Sequence, residues 1–498
     1  METLQRTANR GSVPTGFTVD NSLKLERDNS EYLNRSQDSG NRRTWTFSGW
    51  WKETAVSVNS FILITYGVNN QATRIFISSD NTGDEHLYID LCDTGSTLYR
   101  SISNAVFRDV GWNHVVVSVD TTQGTAANRM KAYINGVEVT SWESQSLPTQ
   151  NLDTLANVTG YGDIGIATYP WAGSSYDGCG EGYICEHIHI DGLALTPTSF
   201  GEFDDDGVWI PKDPSSLTFG TNGHYLKFDD SSSLGADSSG NSNNFTLNNI
   251  TSVDQAIDTC TNTYPVIMRD HLFHLTGGDN TTSREGGTLA KHGDQTGWNL
   301  AFTTLGARSG KWYAEYEVVD LSSKPNVIVG VMQTRDADGG YVFAQQHNGY
   351  LGEKDGTGVG FYFDSADVFV NNGTAITGHT RNNLSSGDIV GVAVDLDNLY
   401  AYFSINNQWV SAVGNAFGGD PTSGSSGTGG YALNSGTEHA FAVSLYNPNG
   451  TCNCNFGGYT VTSISSAATD VNGFGRFEYA PPTGYLALCT QNLKDNGG

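Results

Sequence analysis

Enzymatic cleavage of a glycosidic bond needs two carboxyl groups flanking it, and on a strand alternate residues share a face. Three stretches bear on that requirement. GDEHLYIDLCD carries Glu85 and Asp90 at odd separation, which sets them on opposite faces. EYEVVD places Glu315 and Glu317 together but supplies no third carboxylate on their face, Asp320 standing at odd separation from both, and ICEHIHID likewise lacks a set on one face. In the latter, His187 and His189 share a face. An H-x-H pair can ligate a metal when further ligands are supplied, and an outward polar pair on a solvent-facing strand has the same pattern. Asp204, Asp205 and Asp206 before Gly207, and Asp237 before SSGNSNN, are oxygen-rich loops of the kind calcium takes. They are also ordinary turn composition. Sugars stack on aromatic rings while nearby polar groups take the hydroxyls. The glycine-rich stretch ATYPWAGSSYDGCGEGY offers Tyr169, Trp171, Tyr176 and Asp177 for that purpose, although Trp171 can equally plug one end of a core. A second such stretch, RDADGGYVFAQQHNGYLGEKDG, offers Tyr341, Asn348 and Tyr350.

The elements that must position these residues read as strands. Among 498 residues there are 60 glycines and 26 Lys plus Arg, and no segment sustains a helical period. Short alternating runs separated by Gly, Asn, Asp and Ser predict an all-β protein of more than one domain. The formal charge of −27 argues against nucleic acid and anionic membranes as partners. No apolar run approaches the roughly 20 residues of a membrane helix, and METLQRTANRGSVPTG lacks the apolar core of a signal peptide.

The strongest local signal is Gly387–Val410. Val390, Val392, Val394 and Leu396 alternate, Asp397-Asn398 turns, and Ala401, Phe403 and Ile405 return. An upstream echo, WNHVVVSVD then MKAYINGVEV, closes in the same Ile-Asn-(Gly or Asn) step. Two β-sandwiches in tandem are therefore expected. A polar arm (1–19) precedes a first domain (20–212). A linker (213–221) leads to a second domain (222–498), carrying an irregular insertion at about 251–299. HYLKFDD echoes SLKLERD and suggests that the second domain opens as the first does. Seven cysteines are too few and too odd for a disulfide scaffold. Cys179 and Cys185 can pair across a glycine turn, whereas Cys452 and Cys454 read as core thiols.

TWTFSGWWK, GWNHVVVSVD with AYINGVEV, and IHIDGLALT make the first domain resemble the LamG/pentraxin-like branch of the concanavalin A-like jelly rolls. GKWYAEYEV, VGVM, GDIVGVAVDLD, YFSIN and FEYAPPTGYLAL make the second resemble a SPRY domain, with Tyr341 to Tyr350 where SPRY relatives place a binding loop. The pairing, with RTANRGSVPTGFTVDNSLKL and DDDGVWIPKD, is similar to virion surface or tail-fibre-type proteins of marine tailed phages. The resemblance implies concanavalin A-like/SPRY-like jelly-roll sandwiches with a non-enzymatic binding role. It implies assembly in the host cytoplasm and residence in the virion. The arm would contact other virion proteins, and the loops would take host-surface glycan or protein. Calcium sometimes assists LamG modules. Phage fibres are commonly trimeric, yet no heptad or β-helix repeat here enforces a homotrimer. Capsid decoration is the alternative role, and glycan hydrolysis a further one.

Overall fold

The structure, a computed structural model, describes residues 16–54, 61–68, 71–79, 84–107, 111–170, 176–178, 180–267, 281–292, 298–319, 326–334, 350–352, 358–363, 368–370, 374–376, 384–411, 417–435, 438–446 and 450–497. The chain divides into two compact units, Met1–Asn262 and Thr263–Gly498. Both are built from sheets that are antiparallel but for the short Leu486–Ala487 strand, which runs parallel to Lys311–Val318, as the all-β reading expects.

In the first unit, strands β1 (Ser22–Leu25), β2 (Thr44–Glu53) and β3 (Gly182–Asp191) form the middle of one sheet. Asn113–Asp120 extends it beside β2, and Met130–Ile134 follows. The facing sheet runs through Leu98–Phe107, Glu85–Cys92, Gln71–Ser79, Phe61–Val68, Asp163–Ile166 and Tyr32–Ser36. Alternation on β2 sends Trp45, Phe47 and Trp51 inward. There they pack with Leu23, Val115, Val117, Ile64, Tyr66, Ile75 and Ile89 from both sheets. Trp50 turns to the other face and stacks on His114 at 4.7 Å.

That other face is not open to water. Residues 195–225 fold back across it, burying Ile188, Ile190, Phe200, Phe219 and Tyr225 together. The expected linker is thus packed, and the expected start of a second domain at 222 is corrected. His224–Leu226 pairs with β3, Thr246–Asn248 with Tyr32–Ser36, and Gln255–Ala256 with β1. HYLKF resembles the chain's opening because both are alternating strands of one unit. Two buried lysines fasten the closing segment: Lys24 Nζ lies 2.8 Å from Asp254 and Lys52 Nζ 2.5 Å from Asp258. The end of the expected free arm is fastened too, since the Val19 N–H donates to Thr261 Oγ1 at 3.1 Å. Cys179 lies outside the described residues, and the sulfur beside Cys185 is that of Cys260, at 3.6 Å. The described cysteines are buried thiols, Cys452 and Cys454 among them.

In the second unit, strand β4 (Lys311–Val318) pairs with β5 (Ile389–Asp395), which pairs with β6 (Tyr400–Ile405). On β4's other side lies Thr451–Asn455. The Gly387 hairpin forms as read, with Val392 opposite Phe403 and both fully buried. Asp395 organises its turn, accepting the Asp397 and Asn398 N–H groups at 3.1 and 2.9 Å and the Lys311 ammonium at 2.8 Å. The facing sheet runs Trp298–Phe302, His439–Tyr446, Val327–Gln333, Gly358–Tyr362, Val368–Val370 and Thr374–Ile376. Phe361 meets Phe403 between the sheets at 5.6 Å. Of the expected 251–299 insertion, the described parts are structured. Residues up to 262 complete the first unit, and Thr281–Arg284 with Leu289–His292 extends the β4 sheet through Thr451–Asn455.

The hairpin echo between the units extends to the turn chemistry. Asn135 and Gly136 have φ of 48° and 80°, and Asn406 and Asn407 have 48° and 62°. Two positive φ values in a two-residue loop match the right-handed twist of the flanking strands. In each unit the first Asn also accepts a neighbouring strand's N–H, His114 to Asn135 Oδ1 at 2.8 Å and Ile389 to Asn406 Oδ1 at 3.0 Å.

Candidate binding surfaces

His187 and His189 do share a face of β3, but it is the inner one. Both are buried, as is His224 beside them. His187 Nε2 donates to the Leu63 carbonyl at 3.0 Å, which leaves Nδ1 to accept from His224 Nε2 at 3.1 Å. His189 bridges Tyr66 (2.8 Å) and Asn157 Oδ1 (2.9 Å). Burial pushes His187 down to about 4 and His189 to about 3. The outward-pair reading is therefore corrected: residues 195–225 cover the outer face, so Ile188 and Ile190 have an apolar lining there and the imidazoles point between the sheets. Among the described residues no group of three or more His, Cys, Asp or Glu is arranged to hold a metal.

The acidic loops close on themselves. Asp204 Oδ1 accepts the N–H groups of Asp206 and Val208 at 3.0 and 2.7 Å. Asp206 itself is exposed. Asp237 Oδ1 accepts from the Tyr225 and Ser239 N–H groups, and Oδ2 from Ser239 Oγ and the Asn243 N–H. These carboxylates serve as turn organisers rather than converging on one point.

The carboxylates considered for hydrolysis are similarly engaged. Asp90 is buried between Arg74 (2.6 Å) and Arg100 (2.7 Å). Glu315 is buried and accepts from Tyr313 Oη, Asn455 Nδ2 and the Glu478 and Tyr479 N–H groups. Burial holds it up at about 7. Its role is to dock FEYAPP against β4.

Of the aromatic-glycine stretch, Thr168–Pro170 and Tyr176–Gly178 form a two-stranded ribbon in which Tyr169 stands opposite Asp177 and Tyr176 opposite Pro170. Trp171 lies outside the described residues, as do Tyr341 and Asn348. Tyr350 is described, and it belongs to a cluster that the sequence reading did not assemble. On the outer face of the second unit's six-stranded sheet, Trp298 is the hub among the described residues. Its ring lies 5.2 Å from Tyr350, 6.0 Å from Tyr362 and 5.2 Å from Tyr446. All four side chains are half-buried. Register explains the grouping: Trp298 pairs with Tyr446 across one strand boundary and Ile328 with Tyr362 across another. Underneath, Leu300, Ile328, Met332, Leu351 and Ala442 form a small apolar floor. The Tyr362 hydroxyl donates to Asn326 Oδ1 at 2.8 Å. The missed signal is the alternation in WNLAF, which sets Trp298, Leu300 and Phe302 on one face of a strand. Half-exposed rings on such a floor, rimmed by hydroxyl and amide groups, can stack on the C–H face of a sugar or on an apolar peptide side chain.

Residues 27–179 match the family model described as Concanavalin A-like lectin/glucanases superfamily (Laminin_G_3). Solved structures similar in part include the SPRY domain of human HERC1 (13% identity, covering 35% of this chain and 91% of that one, TM-score 0.25). A protein from Bacteroides ovatus described as a "putative carbohydrate binding protein" is another (13% identity, 47% and 59%, TM-score 0.32). A third is the enzymatically active domain of tailspike protein 2 of bacteriophage CBA120 (12% identity, 36% and 26%, TM-score 0.27). No curated protein matches the chain in sequence.

Proposed function

We propose that this chain is a non-enzymatic virion protein of a tailed phage that binds host-surface glycan through the aromatic face of its second unit. The observation that carries the reading is the half-buried quartet of Trp298, Tyr350, Tyr362 and Tyr446. The concanavalin A-like match of the first unit supports a lectin-type assignment. So does the engagement of Asp90 and Glu315 in internal hydrogen bonds, which leaves neither poised as an acid or nucleophile. The polar N-terminal residues are the proposed tether to other virion proteins. Glycan-array screening of the full chain tests the reading. Binding should quench tryptophan fluorescence, and Trp298→Ala should weaken it about tenfold or more while the fold persists. Absence of any glycan ligand, or full binding by Trp298→Ala, overturns it. Detection of the chain in purified particles at a tail-distal position tests the virion role.

A further inference from the structure

Lys24, Glu31 and Asp254 meet inside the first unit with almost no solvent contact: their side chains are 1%, 3% and 5% exposed. Lys24 Nζ stands 3.0 Å from both Glu31 oxygens and 2.8 Å from Asp254 Oδ1. The other oxygen of Asp254 is held by the Thr251 N–H at 2.7 Å and the Thr251 hydroxyl at 3.2 Å. Glu31 is fixed in turn, accepting from the Glu26 N–H at 2.8 Å and Asn29 Nδ2 at 3.1 Å.

Taking one ammonium and two carboxylates out of water is costly, and a low-dielectric site favours neutral forms. Burial, joined by the charge of Asp254 and opposed by Lys24, holds Glu31 up at about 7, so near neutrality it carries a proton it can exchange. The 2.8 Å contact between Lys24 Nζ and Asp254 Oδ1 is a path along which the ammonium proton can pass, setting a neutral amine against a neutral carboxylic acid. Those are the reactants of amide formation.

We propose that Lys24 and Asp254 form an intramolecular isopeptide bond, with Glu31 as the proton shuttle. The Lys24 nitrogen attacks Asp254 Cγ, and the oxygen that becomes negative is Oδ2, already facing the Thr251 N–H as an oxyanion donor. Glu31, a neutral acid at this point, gives its proton to Oδ1 and takes the surplus proton from nitrogen in its place, ending as it began. The Cγ–Oδ1 bond breaks and water leaves. One N–C bond forms, one C–O bond breaks, and neither oxidant nor cofactor is required. The product ties β1 covalently to the segment that closes the unit, where Gln255–Ala256 already pairs with Ser22–Leu23. A cross-link there resists unfolding by constraining the open chain, as a disulfide does without depending on redox conditions.

Mass spectrometry of the full-length purified protein tests this. After trypsin, peptides 11–27 and 228–269 should be recovered as one species about 18 Da, one water, lighter than their sum. Tandem spectra should place the join at Lys24 and Asp254. Recovery from folded protein of 11–24, cut after a free Lys24, and of 228–269 at unmodified mass overturns the proposal, and that measurement needs no variant. Glu31→Gln should slow cross-linking at least about a hundredfold after refolding. Lys24→Arg should abolish it. Unchanged cross-linking in folded Glu31→Gln overturns the shuttle assignment.

Discussion

The Tyr66 hydroxyl donates to Nδ1 of His189 at 2.8 Å across the interior of the first unit, joining one sheet to the other through a pair of buried polar side chains. The tautomer follows from the partner on the far side of the ring. Asn157 Nδ2 is committed to Asn41 O and Asp191, so its Oδ1 must accept from His189 Nε2. A neutral imidazole is built into the core, and with His187 and His224 it forms a polar seam in an otherwise apolar interface.

That seam makes the first unit sensitive to mild acid. His114 and His189 are pushed down to about 3 and His187 to about 4 by burial, and His224 is lowered by burial and by neighbouring His187 and Arg35. An unfolded imidazole titrates near 6.5, so between that pH and about 4 the unfolded chain binds more protons. Stability from these groups is complete above 6.5 and is lost as pH falls. Glu31 and Glu186, both held at about 7, work the other way, favouring the fold at low pH and losing that contribution as pH rises through 7. Four imidazoles against two carboxyls leave a net acid loss. The thermal midpoint of this unit should drop from pH 7.5 to pH 5. His224→Gln keeps a donor for His187 Nδ1 without titrating, and should reduce the drop. An equal or higher midpoint at pH 5 contradicts the assignment.

The second unit should show the opposite slope in the same window. Glu315, raised to about 7 by burial, contributes fully below about 4.5 and loses that contribution as pH rises through 7. Glu315→Gln should flatten the profile. Glu315→Ala strands the Tyr313 hydroxyl, one N–H of the Asn455 amide and two backbone N–H groups, and should cost about 3 kcal/mol or more. Equilibrium denaturation of each variant at pH 5 and 7 measures both effects.

Val392 and Phe403 face one another in the core of the second unit, each 0% exposed. Val392→Asp or Phe403→Asp places an unpaired carboxylate there and should cost more than about 4 kcal/mol, enough to unfold that unit. Loss of its thermal transition, with the first unit's retained, is the expected calorimetric result. A native-like transition would remove these residues from the core.

Asn406 combines a φ of 48° with acceptance of the Ile389 N–H. Asn406→Gly keeps the backbone and loses the acceptor, which should cost about 1 kcal/mol. Asn406→Ala loses the acceptor and adds left-handed strain, about 1 kcal/mol more. The same ranking should hold at Asn135 in the first unit, and the denaturation midpoints of the four variants check it.

Local pattern carried much of the architecture. The alternation of Val390 to Leu396, the Asp395–Asn398 turn and the Ile-Asn-Gly and Ile-Asn-Asn steps are written in neighbouring residues, because strand period and turn chemistry are short-range properties. The sequence by itself therefore determined the all-β class, the two hairpins and the thiol state expected of Cys452 and Cys454. Which face of a strand is the inside is a long-range matter. His187 and His189 look outward until residues 195–225 cover the far side of β3 and give Ile188 and Ile190 an apolar lining. The boundary at 262 is likewise tertiary, set by buried carboxylates at 254 and 258 reaching lysines at 24 and 52, more than 200 residues earlier. The aromatic surface follows the same rule. Tyr350 was legible as a candidate, but Trp298, Tyr362 and Tyr446 join it only through strand register, which brings distant half-exposed rings to one patch.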